Sequence, residues 1–304
     1  MQDPIMLKAK GNGIDMQLAQ WGSDAHKTIL CVHGMTANCR CWDRLVPALS
    51  SEHRVLGVDL RGRGMSDKPI SEYSLENHVE DLRALMDSLG LTRVILLGHS
   101  LGAYISVMFS AFYPDKVDKL ILLDGGGQLS QKRWDSIELV IKPSLERLKQ
   151  VFPSFEAYTE PLKNAPIFQP WTEYYDRYFR YDIKKIDQSV RSRINPAHIQ
   201  QEINDIRNKD IAGYYRDITC DVLILRATQG FLGDDDLLLP QDAVSKMLNA
   251  IPGSQDMAVE GTNHFSILFD RHDARDNALS SFLQKYFPIT SCSYPMTITL
   301  IYNK

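Results

Sequence analysis

Hydrophobic and polar positions along the chain follow two rhythms. Short, mostly apolar runs at 5–10, 14–21, 28–32, 54–58, 93–97 and 117–123 have the length and composition of strands. Between them the apolar residues recur at helical spacing. In 75–89, LENHVEDLRALMDSL, Val79, Leu82, Leu85 and Met86 share one face, and Gly90 follows as a C-cap. A second helix is predicted over 101–113, where Pro114 stops it. Strand and helix signals that alternate in this way predict a mainly parallel sheet flanked by helices.

The alternation breaks after LILLDGGG, 120–127. From 128 to 219 no run reads as a strand. The segment reads as helices rich in aromatics, among them Trp134, Phe152, Phe155, Tyr158, Phe168, Trp171, Tyr175, Tyr178, Phe179 and Tyr181. Strand signals resume at 221–226 and 256–260, with a helix at 241–250 between them and a last helix over 274–286 before Pro288. The expectation is an eight-stranded α/β core built from 1–127 and 220–288, interrupted by an all-helical insertion at 128–219. The tail, 289–304, is apolar and β-prone and has no evident role.

Composition narrows the functional classes. Net charge is −4 from 34 basic and 38 acidic residues, with both signs interspersed, so no basic face suggests nucleic acid. The N-terminus has no apolar signal-peptide core, and no run is long enough to span a membrane. The five cysteines are an odd number, and Cys39 and Cys41 form only a C-x-C pair. Neither a disulfide framework nor a metal cluster is expected, and the thiols read as reduced in a cytoplasmic protein. No spacing implies a metal or an organic cofactor.

The chemistry centres on VILLGHSLGAY, 94–104, where a strand runs through Gly98-His99-Ser100-Leu101-Gly102 into a helix. In this context G-x-S-x-G lifts the serine onto a strained turn above the sheet, whereas the bland alternative is a plain strand-to-helix corner. The following helix N-terminus offers the Leu101 N–H to a developing oxyanion. A serine nucleophile needs a base. His26, His53, His78, His198 and His272 lie in polar settings and read as surface residues, while His99 reads as a packing or site-lining group. His264, in VEGTNHFSILF after the final strand, is the candidate base. The acid that fixes its tautomer is sought in the loop ATQGFLGDDDLLLP. Asp236 is favoured there, Asp124 at the end of the preceding strand is the rival, and Asp234 or Asp235 comes third. The second oxyanion donor is expected from the Met35 N–H, after the strand that ends at His33-Gly34.

The chain resembles the α/β-hydrolase fold superfamily through VHGMTANCRCWD, DLRGRGMSDKP, GHSLGA, DDDLLLP and GTNHFSI. The resemblance covers all but the tail. It implies Ser100 as nucleophile, His264 as base, Asp236 as acid and Met35 and Leu101 as oxyanion donors. It also implies that the insertion caps the pocket and that Arg61 is structural. Serine at the nucleophile position argues against the epoxide hydrolases and haloalkane dehalogenases of this fold. The loop RATQGFLGDDD is longer than the family's short G-x-x-D turn.

The expected activity is a serine carboxylesterase that acts on a small-molecule ester through an acyl-enzyme. The alternatives are a meta-cleavage-product C–C hydrolase, a lactonase, and an amidase or aminopeptidase. A ligand-binding receptor on the same fold is the non-enzyme alternative. Arg177, Arg180, Lys184, Lys185, Arg191 and Arg193 form a basic run of the insertion, usually a solvated face. One inward-pointing arginine would select a carboxylate-bearing substrate.

Overall fold

The structure, a computed structural model, describes residues 3–22, 27–231 and 236–284. The strands of the first half are β1 (Ile5–Lys10), β2 (Asp15–Trp21), β3 (Thr28–Val32), β4 (Arg54–Val58), β5 (Val94–His99) and β6 (Val117–Leu123). Their helices are α1 (Val46–Leu49), α2 (Leu75–Ser88) and α3 (Leu101–Phe112). The insertion contributes α4 (Gln131–Leu148), α5 (Phe155–Lys163), α6 (Glu173–Asp182), β7 (Ile183–Ile186), β8 (Ser189–Ser192) and α7 (Pro196–Arg207). The chain then returns through β9 (Asp221–Ala227), α8 (Gln241–Ala250), β10 (Ser254–Val259), α9 (Ser266–Phe269) and α10 (Asp273–Gln284).

Eight strands form one sheet in the order β1-β2-β4-β3-β5-β6-β9-β10. β2 pairs antiparallel with both neighbours, and every other pairing is parallel. The central strands are buried on both faces, which is why they read as continuous apolar runs rather than alternating ones. Leu30, Val32, Leu96 and Leu122 face α2, α3 and α8. Ile29, Cys31, Leu97 and Leu123 face Trp42, α10 and the aromatics of the insertion. α2 starts with the capping box its sequence encodes: Ser74 Oγ accepts the Asn77 N–H, and the Asn77 side chain accepts the Ser74 N–H.

The insertion covers the carboxyl ends of the central strands, where parallel sheets place their ligands. It is mainly helical but also carries the β7–β8 ribbon, paired Ile183 to Ser192 through Ile186 to Ser189. The tail expected at 289–304 lies outside the described residues.

Arg61 is buried, with Nε 2.7 Å and Nη2 2.8 Å from the Asp81 carboxylate and Nη1 on the Glu72 carbonyl. It holds the loop after β4. Three histidines read as surface groups are buried instead. His53 packs at the start of β4, His78 bonds Glu202 inside the insertion's base, and the His198 ring stacks on Tyr73 at 4.2 Å. Their burial depends on groups distant in the chain, such as Glu202 for His78 and Tyr73 for His198, which a local pattern does not register. His26 lies outside the described residues.

Candidate active site

β5 delivers Ser100 to the turn before α3 with φ 54° and ψ −123°. Positive φ is costly for a residue with a Cβ and is held here by what surrounds it. A Cβ on Gly102 would lie 1.9 Å from the Val32 carbonyl oxygen, and one on Gly98 would lie 2.3 Å from the Gly102 oxygen. Strand, turn and helix therefore pack closely only because both flanking positions are glycine. Ser100 stands as the N-cap of α3 with its hydroxyl free of any capping bond.

At the end of the adjacent strand β6, Asp124 has φ 45°, also in the left-handed region. Its Oδ1 accepts the Ala227 N–H at 3.1 Å, and its Oδ2 accepts from His264 Nδ1 at 2.7 Å. Both residues are buried, Asp124 at 2% and His264 at 8% exposure. The hydrogen bond fixes the tautomer: Nδ1 carries the proton and Nε2 presents its lone pair.

Of the candidate acids, the one whose carboxylate accepts the His264 Nδ1–H is Asp124, ranked second from the sequence behind Asp236. The sheet order places β6 directly beside β5, so the strand end next to the serine's own carries this carboxylate. Asp234 and Asp235 lie outside the described residues.

His99 packs against His264. Its Nε2 donates to the His264 carbonyl at 3.0 Å, and the two rings stack with centroids 4.5 Å apart. Burial, with the neighbouring His264 second, holds the His99 pKa well below the usual histidine range, so the ring stays neutral. Phe231 closes the other side, its centroid 5.1 Å from that of His264.

Met35 and Leu101, the two expected oxyanion donors, line the same cavity as Ser100 and His264. Their N–H groups donate to no partner among the described residues. The loop carrying Met35 is anchored from both sides. Arg63 Nε donates to the Met35 carbonyl at 2.9 Å, and Tyr178 of α6 donates its hydroxyl to the Thr36 carbonyl at 3.1 Å. Arg63 in turn bonds the buried Glu202 of α7, which also accepts from His78 Nε2 at 2.7 Å. The opposing charge of Arg63 and the His78 hydrogen bond outweigh desolvation and keep the Glu202 carboxyl below its usual range. Arg63, His78 and Glu202 carried no signal in the sequence, because no two of them belong to one local element.

The cavity encloses about 510 Å³ between sheet and insertion, within the common range for small-molecule sites. Trp134, Phe152, Phe168 and Tyr178 contribute to its walls, whereas Tyr158, Tyr175 and Phe179 pack the insertion's own core. None of the basic run 177–193 lines it. The arginine that does is Arg147 of α4. Among the described residues no group of three or more His, Cys, Asp or Glu is placed to hold a metal, and no helix is long and apolar enough to cross a membrane.

A family model described as the alpha/beta hydrolase fold matches residues 27–271. The chain is 28% identical over 247 residues to the 2-(acetamidomethylene)succinate hydrolase of Mesorhizobium japonicum, covering 78% of this chain and 81% of that protein. It is 38% identical over 106 residues to the human serine hydrolase-like protein, a match to 34% of this chain and 52% of that one. The crystal structure of an E-2-(acetamidomethylene)succinate hydrolase superposes with a TM-score of 0.79 at 24% identity, covering 93% of this chain and all of that one. The family match spans the six sheet strands from β3 to β10, the insertion and every residue of the site, and the chain belongs to the α/β-hydrolase fold family.

Proposed function

We propose that the protein is a serine hydrolase that cleaves a carboxylic ester of a small molecule through an acyl-enzyme. The observation that carries this reading is the bond between Asp124 and His264, which leaves Nε2 bare in the cavity that Ser100 enters on its strained turn. In the proposed reaction, Ser100 Oγ attacks the ester carbonyl as His264 Nε2 takes its proton. The Met35 and Leu101 N–H groups hold the oxyanion. His264 then protonates the departing alkoxide, and the same base activates water to release the acid and regenerate Ser100. The Asp124 carboxylate, bonded to Nδ1, stabilises the imidazolium.

A second reading keeps the triad and changes the bond. Kinship to a hydrolase of 2-(acetamidomethylene)succinate favours a substrate cleaved at an amide or a C–C bond instead of an ester. The free thiols of Cys31, Cys39, Cys41 and Cys220 support a reducing, cytoplasmic setting.

Hydrolysis of p-nitrophenyl esters from acetyl to dodecanoyl, by wild type and Ser100→Ala, tests the proposal. Turnover confined to wild type is expected. Folded wild type that turns over no ester of the series, yet releases product from amide or C–C substrates, would transfer the assignment to the second reading.

A further inference from the structure

Arg147 sits in the last turn of α4, inside the insertion, and lines the cavity that holds Ser100 and His264. Its side chain is 13% exposed. The guanidinium carbon stands 4.7 Å from the Tyr158 ring centroid and 5.7 Å from that of Phe179. Nη1 donates to the Tyr158 hydroxyl, which donates onward to Asp182 Oδ2. Asp182 is also bonded by the Ser192 hydroxyl at 3.2 Å.

The other edge of the guanidinium is empty. Nε is buried and has no hydrogen-bond partner, and Nη2 donates to nothing among the described residues. Nε and Nη2 together form the fork that matches the two oxygens of a carboxylate. An arginine placed only to neutralise Asp182 would turn that fork toward it. Here the acid is approached by Nη1 alone, at 4.0 Å. Glu138, the acid in the cavity wall, is engaged by Arg207 at 2.9 Å and makes no bond to Arg147. A buried N–H without an acceptor carries its full desolvation cost, and none of the polar wall side chains, Thr36, Glu138, Ser144 and Gln150 among them, accepts it.

We propose that Arg147 is a carboxylate-binding group, and that the substrate carries a carboxylate held by its Nε–Nη2 fork in addition to the carbonyl attacked by Ser100. The first half stands on the cavity alone, and the second rests on the hydrolase reading above. Tyr158 and Asp182 are the positioning residues: they hold Nη1 and so turn the fork away from the insertion's core.

The test compares hexanoate with hexan-1-ol, which share an alkyl chain and differ in charge. Both are used as competitive inhibitors of p-nitrophenyl butyrate hydrolysis. Wild type should bind hexanoate at least tenfold more tightly. Arg147→Met should reduce that ratio by roughly 10- to 100-fold, the range of a bidentate charge-assisted contact. Arg147→Lys, which keeps the charge and loses the fork, should fall between the two. A wild-type ratio near one, or a ratio unchanged in both variants, would overturn the proposal. If Arg147→Met does not fold, the wild-type ratio and Arg147→Lys decide alone. Melting temperatures of wild type and Ser100→Ala with each compound read the same preference without turnover. A shift with hexanoate in a protein that cleaves no ester would keep the anion site while sinking the esterase reading.

Discussion

Asp124 Oδ2 and His264 Nδ1 lie 2.7 Å apart although 140 residues separate them in sequence. The pair joins the end of β6 to the loop after β10, and it makes Asp124 the acid of the proposed triad. Asp124→Asn should lower kcat by about 10³- to 10⁴-fold, as expected when an acid that fixes a histidine tautomer is replaced by its amide. Asp236→Asn should change kcat less than twofold. The reverse pattern in steady-state kinetics would return the role to Asp236.

Glu202 ties the insertion to the loop that carries Met35, through Arg63. Both side chains of this ion pair are buried. Glu202→Gln should destabilise the fold by roughly 3–5 kcal/mol, because it leaves the Arg63 charge without a partner. kcat should fall as well, since Arg63 then holds the Met35 carbonyl less firmly. Urea unfolding with parallel kinetics checks both effects. A stability change under about 0.5 kcal/mol would show that the pair does not hold the insertion down.

Acid should weaken the fold through His33. Burial pushes its pKa down to about 4 from 6.5. The ring donates from Nδ1 to the Gly34 carbonyl and accepts the Leu60 N–H at Nε2, so it is committed to the neutral form. Between those two values the unfolded chain binds the proton and the folded one does not. The contribution is therefore intact above pH 6.5 and is lost as pH falls toward 4. The loss from pH 7 to pH 5 should be roughly 2 kcal/mol for this group, with His99 adding in the same direction. Urea midpoints at the two pH values measure it. A His33→Gln variant with the same pH slope as wild type would assign the effect elsewhere.

Gly102→Ala should not give a folded protein, because its Cβ would sit 1.9 Å from a backbone oxygen of β3. Soluble expression with a wild-type circular dichroism spectrum and melting curve would contradict that geometry.

The sheet strands and the helices around them were legible because their residues encode them locally. The runs at 28–32, 54–58 and 117–123 coincide with β3, β4 and β6. Ser100 and His264 stood out as candidates for the same reason: each sits in a short motif whose strand context is in the sequence. Asp124 could only be ranked second, since its partnership depends on which strand lies beside β5, and that is a fact of the sheet. The β7–β8 ribbon was missed because IKKI and SVRS are short and half polar and pair only with each other. Arg147 and Glu202 were invisible for a different reason. A charged residue on an amphipathic helix reads as solvated until the packing above it is known.

The most direct measurement is the mass of peptides from protein treated with an alkyl fluorophosphonate, which captures a serine activated by a base. One adduct is expected, on the peptide containing Ser100, absent from Ser100→Ala and formed at least a hundredfold more slowly in His264→Ala. No adduct on folded wild type, or an adduct on another residue, would contradict the claim that Ser100 is the nucleophile.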